Sequence, residues 1–244
     1  MAIQKSVDLC VMRIVSCVPS LTEWIWDLGA SDQLVGRTKF CVHPDSSIRG
    51  IPQVGGTKSL KVEAIAALKP DLLIANQEEN TREQIEACEE FCAVLLTDIK
   101  TVHGAWKEMQ RIADAVGYRE EGKTWIARIK DAWGPQKSLH RKVAYCVWRE
   151  PLMVAGGDTY ISDVLNWWGL ANAFGHLSRY PEVTAEMLLK ADVDEVLLPS
   201  EPFPFKVRHQ SEFSLPNRLV DGEAFSWYGS RMWHACAQLR QIVG

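Results

Sequence analysis

KVEAIAALKPDLLIA (Lys61–Ala75) and EVTAEMLLKADVDEVLLP (Glu182–Pro199) follow one plan. Each opens with apolar residues at helical spacing, breaks at an acidic turn and runs into an uninterrupted apolar string. In the first, Val62–Leu68 reads as a helix stopped at Lys69-Pro70, because the residue before a proline avoids the α region. Leu72–Ala75 then reads as a strand buried on both faces, the pattern of a parallel sheet covered by helices. Ala185–Lys190 and Glu195–Leu198 repeat the pair. One such unit in each half of the chain predicts two α/β lobes.

Working outward, Arg13–Cys17 is a strand candidate ended by Pro19. Ser20 and Glu23 form an S-x-x-E capping box, and Leu21, Trp24, Ile25 and Leu28 give the following helix one apolar face up to Gly29. Leu34–Arg37 and Val94–Leu96 read as further strands, and Thr81 with Gln84 as a second capping box whose helix turns Ile85 and Cys88 inward. The middle is helical, from Trp106 to Val116 and again from Trp125 to Trp133. Beyond it, Val143–Trp148 is a strand, Thr159–Trp168 a helix, Arg218–Val220 a short strand, and Ser230–Ile242 the last helix. These elements predict Rossmann-like lobes with mainly parallel sheets over residues 1–103 and 138–244, joined by a helical connection over 104–137.

The formal net charge of −4 over 244 residues argues against a nucleic-acid partner, which requires a basic field. No apolar run reaches the ~20 residues of a membrane-spanning helix. Seven cysteines stand at scattered spacings that fit neither a disulfide framework nor a CxxC zinc site. Cys10, Cys17 and Cys146 lie in apolar surroundings and read as small hydrophobes. Lys5 precedes an apolar run, but Asp8 and Arg13 interrupt it, so no secretory signal is read and the chain as it stands is expected in the cytoplasm, as a monomer. Ten tryptophans are the compositional anomaly: Trp fills cores and also stacks on flat ligands.

Ligands of open α/β sheets bind beyond the carboxyl ends of the strands. If the lobes face each other, those ends line one cleft. It would hold Pro19, Ser20, Lys39 and Phe40 from the first lobe, and Trp148, Arg149, Phe225, Trp227 and Tyr228 from the second. Such an aromatic lining with few convergent ionisable groups suits a flat, extended ligand more than bond-breaking chemistry. Trp148 fits core packing as well as ligand contact, whereas Trp227 and Tyr228 lie in a Gly- and Ser-containing loop. VGGTKS (Val54–Ser59) lacks the phosphate-loop spacings and reads as a tight turn. Cys41 and His43 are spaced to reach one metal, but two ligands do not complete a zinc site. Glu78 and Glu79 read as solvated surface, with an acid/base pair as the sharper alternative.

RIVSCVPSLTE (Arg13–Glu23), VGGTKS, ALKPDLLIANQEEN (Ala67–Asn80), RYPE (Arg179–Glu182), LPSEPFPFK (Leu198–Lys206) and DGEAFSWYG (Asp221–Gly229) together resemble the cobalamin- and iron-chelate-binding proteins of ABC importers. The resemblance runs from about Arg13 to the last helix. It implies two Rossmann-like lobes bridged by one long helix, here Arg119–Trp133, with the ligand cleft between them and no cofactor of the protein's own. It adds Tyr180 to the ligand-contact set. It also implies docking on an importer permease through one surface glutamate per lobe, matched here by Glu83 in the first and by Glu201 or Glu212 in the second. Two positions held by Trp in cobalamin binders are Thr57 and Asn76 here, which bears on the ligand. The resemblance implies periplasmic delivery, with a start upstream of Met1.

The function expected is therefore capture of cobalamin or a related corrinoid, for ABC-type uptake or for carriage inside the cell, rather than catalysis. The alternatives are a ferric siderophore or haem binder, a cytoplasmic enzyme acting on a tetrapyrrole or metal cofactor, and a regulatory partner protein with a vestigial cleft.

Overall fold

The structure, a computed structural model, describes residues 11–243. Lys5, Asp8 and Cys10 lie outside the described residues. The chain forms two units: one holds the residues up to Asp98 together with Ile112–Glu121, the other Ile99–Arg111 and everything from Gly122 onward.

The first unit begins with β1 (Ile14–Ser16), α1 (Pro19–Asp27), β2 (Leu34–Arg37), the paired β3 (Gly55–Gly56) and β4 (Ser59–Leu60), α2 (Val62–Ala67), β5 (Leu72–Asn76), α3 (Arg82–Glu89) and β6 (Ala93–Thr97). Its sheet runs β2-β1-β5-β6 with every pairing parallel. All five residues of β5 are buried, as the continuous apolar run demands of a strand covered on both faces. Val15, Ile65, Leu73, Ala75, Ile85 and Cys88 pack together on one side of the sheet. The order reverses between β1 and β5, so the loops after these two strands flank the switch point at which such sheets open a crevice.

The chain continues through α4 (Val102–Ala115) and α5 (Arg119–Trp133), each of which contributes residues to both units. The second unit then adds β7 (Arg141–Trp148), β8 (Met153–Val154), α6 (Tyr160–Trp167), β9 (Leu170–Asn172), α7 (Ala185–Lys190), β10 (Glu195–Pro199), α8 (Val207–Gln210), β11 (Asn217–Val220), α9 (Glu223–Ser226) and α10 (Arg231–Val243). β7 is its axis: β10 lies along one edge, while β9 pairs parallel with the first half of the other edge and β8 antiparallel with the second. β11 completes the sheet beside β10. The switch point here falls between β7 and β10.

The chain departs from its expected local signals at both capping boxes. α1 starts at Pro19, with Val18 as its cap and no side-chain cap bond. Proline has no N–H to satisfy and a preset φ, so it opens the helix two residues early and leaves Ser20 inside the first turn and Glu23 beyond it, both buried. Thr81 does cap α3, but its side chain makes no cap bond, and Gln84 instead donates to the Leu60 carbonyl at 3.3 Å. Thr159, read as the first residue of its helix, is instead the cap of α6, its hydroxyl accepting the Ser162 N–H at 3.2 Å.

VGGTKS is a tight turn, with Thr57-Lys58 joining β3 to β4. Gly55 sits there at φ +108°, and a Cβ would overlap the Ser59 carbonyl oxygen. Gly55→Ala is therefore expected to cost about 1–3 kcal/mol, seen as a lower urea midpoint with an unchanged slope.

Candidate functional site

The loops after β1, β2 and β5 are fixed by buried polar side chains. Arg37 ends β2, is 4% exposed and donates to three carbonyls: Ile48 at 2.9 Å, Cys41 at 3.1 Å and Thr38 at 3.2 Å. Five N–H donors in one rigid fork allow a single side chain to gather a whole loop. The loop so held presents Phe40 outward, 50% exposed, with the Lys39 ammonium 4.9 Å from its ring centre. Beneath it, the Thr22 hydroxyl donates to Ser16 Oγ at 2.7 Å, and the Cys41 thiol lies 3.1 Å from Thr22 and 3.2 Å from Thr38.

After β5, Asn76 donates to Thr97 Oγ1 at 3.0 Å and accepts the backbone N–H groups of Glu78 at 2.8 Å and Glu79 at 3.3 Å. Asn80 accepts the Asn76 N–H at 2.9 Å and donates to Thr57 O at 3.0 Å and Cys17 O at 3.3 Å. One asparagine thus ties together the β1 loop, the hairpin turn and the β5 loop. Lys58 closes the arrangement by donating to the Glu78 carbonyl. Asn76 and Thr57 serve here as buried frame and as hairpin turn.

In the second unit Trp148 stands 42% exposed at the end of β7, edge-on to Phe203 at 5.7 Å, with its Nε1–H donated to Glu150 O at 3.2 Å. Phe203 continues into Phe205 and Phe213, so the exposed indole rests on an aromatic floor. Arg149 is held by Glu150 at 2.5 Å and Glu212 at 2.9 Å. Tyr180 is half-buried, with the Arg179 guanidinium 5.8 Å from its ring centre. The segment around it is set by Gly156 N–H to Arg179 O at 2.8 Å and Val154 N–H to Pro181 O at 3.1 Å.

The DGEAFSWYG loop is not an exposed clamp. Phe225 is fully buried against Tyr145 at 5.2 Å, and Tyr228 is packed edge-on to Tyr160 at 5.5 Å. Trp227 is 8% exposed, and its Nε1–H donates to Glu201 Oε1 at 2.6 Å, which also accepts the Ser226 hydroxyl at 2.9 Å. Leaving an indole N–H unbonded in that environment would be costly, so the loop folds onto the carboxylate. Glu201 is consequently a structural acceptor, and Glu212 is engaged with Arg149. Glu83 lies exposed in the first turn of α3. Of the other first-unit candidates, Pro19 is half-buried and Ser20 buried.

Cys41 is 1% exposed, and burial raises its thiol above the ordinary value against the opposing pull of the Thr22 and Thr38 hydroxyls. A thiol so held is a poor source of the thiolate that metals require. Among the described residues no group of three or more His, Cys, Asp or Glu side chains is placed to hold a metal.

The proton affinity of Glu79 is raised: burial raises it, Lys58 opposes and Glu78 adds. A carboxyl raised on folding costs stability only when ionised. The cost is absent below the unfolded chain's value of about 4, grows through the raised folded value, and is complete at neutral pH. Glu79→Gln should therefore raise the melting temperature at neutral pH, and the gain should vanish as the pH falls below about 4. Melting curves across that range check this, and a gain equal at every pH would contradict it.

The sequence profile of the family described as periplasmic binding protein matches residues 14–211. The vitamin B12-binding protein of Pectobacterium carotovorum subsp. carotovorum (strain PC1) is 23% identical over 239 residues, 93% of this chain and 86% of that protein. Among solved structures, the periplasmic vitamin B12 binding protein BtuF of Vibrio cholerae superposes with a TM-score of 0.79 at 19% identity, covering 95% of this chain and 96% of that one. The periplasmic haem binding protein HutB of Vibrio cholerae gives 0.78 at 20% identity, over 95% and 98%. At such identities the superpositions show the fold, while the profile spans most of the chain. Each of these relatives is named for a solute it binds and none for a reaction. This chain belongs to the periplasmic binding protein family.

Proposed function

We propose that the chain captures a flat metal chelate, with cobalamin or a related corrinoid as the first candidate, and hands it on unaltered to an ABC-type importer. Carriage inside the cell is the alternative destination. The observation that carries this reading is the pair of outward aromatic rings, Phe40 and Trp148, each at the carboxyl end of a buried parallel strand and each on a backbone fixed from beneath. Exposed rings on rigid supports lose little entropy when they stack on a planar ligand. The relative named for vitamin B12 binding supports the corrinoid. Lys39 would meet the amide or carboxylate arms of the ligand, and Arg149 and Tyr180 would border Trp148. Phe225, Trp227 and Tyr228 are packed within the second unit and are not assigned ligand contact. Of the three glutamates considered for docking, Glu201 holds the Trp227 indole and Glu212 pairs with Arg149, while Glu83 stands exposed at the start of α3 and is assigned the permease contact. The protein is taken to act as a monomer.

Haem is the second reading. It is favoured by the likeness to HutB and by Lys39, whose ammonium suits a propionate. An enzymatic role has less support, because Glu79, whose proton affinity is raised, sits beside Lys58 on a loop occupied with internal bonds.

Calorimetric titration with cyanocobalamin and, separately, haemin tests the proposal. Saturable one-to-one binding of the corrinoid is expected, weakened about tenfold by Phe40→Ala or Trp148→Ala, the ~1–1.5 kcal/mol of one aromatic stack. The melting temperature of these variants should stay within a degree or two of the parent, since both rings are half-exposed. Trp227→Ala should instead lower the melting temperature by several degrees. Haemin binding without corrinoid binding would move the assignment to haem, and binding of neither would end the chelate reading.

A further inference from the structure

The second unit carries a cavity of about 450 Å³ between α4 and α5, remote in sequence from the strand-end loops. α4 lines it with His103, Trp106, Lys107 and Gln110, and α5 with Lys123 and Lys130. The positions follow helical spacing, so each helix turns one face toward the groove over two turns, about 10 Å of axis. Among the described residues no carboxylate lines it, although the chain as a whole carries a formal charge of −4 and both helices bear acids elsewhere on their surfaces, Glu108 and Asp131 among them. One-signed charge within a concavity concentrates the field there, whatever the net charge of the molecule.

The floor is rigid. Trp106 is 8% exposed and packs edge-on against Trp167 at 5.2 Å and His103 at 5.0 Å. The Lys130 ammonium lies 5.0 Å from the centre of the Trp106 ring, which holds that charge at the groove rather than in free solvent. His103 also meets Trp167 edge-on at 5.3 Å. Three ammonium groups spread over two turns, with Gln110 and His103 as further polar groups beside them, exceed what one carboxylate engages. They match a ligand with several charged oxygens in a row, and lysine is a recurrent partner of phosphate as a point charge.

We infer that the α4–α5 groove is a second binding site, taking a phosphate-bearing polyanion. The inference is independent of the chelate reading, since it shares no residue with Phe40, Trp148 or their supports. The same chemistry is offered by a soluble oligophosphate and by the headgroups of anionic lipid.

The test uses the full chain at low ionic strength. Sodium tripolyphosphate is titrated calorimetrically, and co-sedimentation is measured with phosphatidylglycerol and phosphatidylcholine vesicles. Saturable tripolyphosphate binding, weakened at least tenfold in Lys107→Ala/Lys123→Ala and unchanged in Lys142→Ala/Lys190→Ala, is the expected result and indicates a soluble ligand. Co-sedimentation with phosphatidylglycerol only, lost in the same double variant, also supports the site and identifies lipid as its source. Both pairs are exposed lysines, so melting temperatures should match the parent and show that folding is intact. Failure to bind either probe, or binding that Lys107→Ala/Lys123→Ala leaves unchanged, overturns the inference.

Discussion

Strands buried on both faces leave no room for polar side chains along their length, and this constraint shapes both units. β5 and the centre of β7 are apolar because helices and loops cover both of their sides. The recognition groups carried by the sheets are therefore displaced to the strand ends, where the chain turns. Those turns must satisfy their own backbone groups without a ladder to help them. Asn76, Asn80 and Thr97 do this after β5, Arg37 after β2, and Glu201 with Ser226 after β10. The result is loops that are irregular in path but fixed in place.

The elements with a period were legible. Leu34–Arg37 and Ala185–Lys190 form over the bounds their spacing predicts, because burial of one helical face or of a whole strand is a local property of the sequence. β8 and β9 were not legible: at two and three residues they have no period to detect, and they exist because the long β7 offers an edge. The two capping boxes show the limit of motif reading. The first lost to a neighbouring proline, and the second fixed the helix start without the side-chain bond that defines the motif.

The site was legible in part, and the division has a physical cause. That strand-end residues matter follows from topology, which the alternation of helix and strand reveals. Which of them face outward follows from tertiary hydrogen bonds that no spacing encodes. Trp227 and Tyr228 look like loop aromatics free to meet a ligand, but Glu201, distant in sequence, takes the indole N–H and draws the loop inward. The network around Asn80 escaped notice for the same reason. Its only trace in the sequence is a pair of asparagines four residues apart in ANQEEN, one turn in length, closing a loop on its own backbone.

Arg37 gathers the carbonyls of Thr38, Cys41 and Ile48 with one guanidinium, so the path of that loop is written by its backbone and by a residue outside it. The side chains carried on the loop, Lys39 and Phe40 among them, contribute little to holding it. Such an arrangement separates inheritance of shape from inheritance of preference. A lineage that keeps the arginine can exchange the ring and the charge at positions 39 and 40 by single steps, trying new ligands while the scaffold stays as it is.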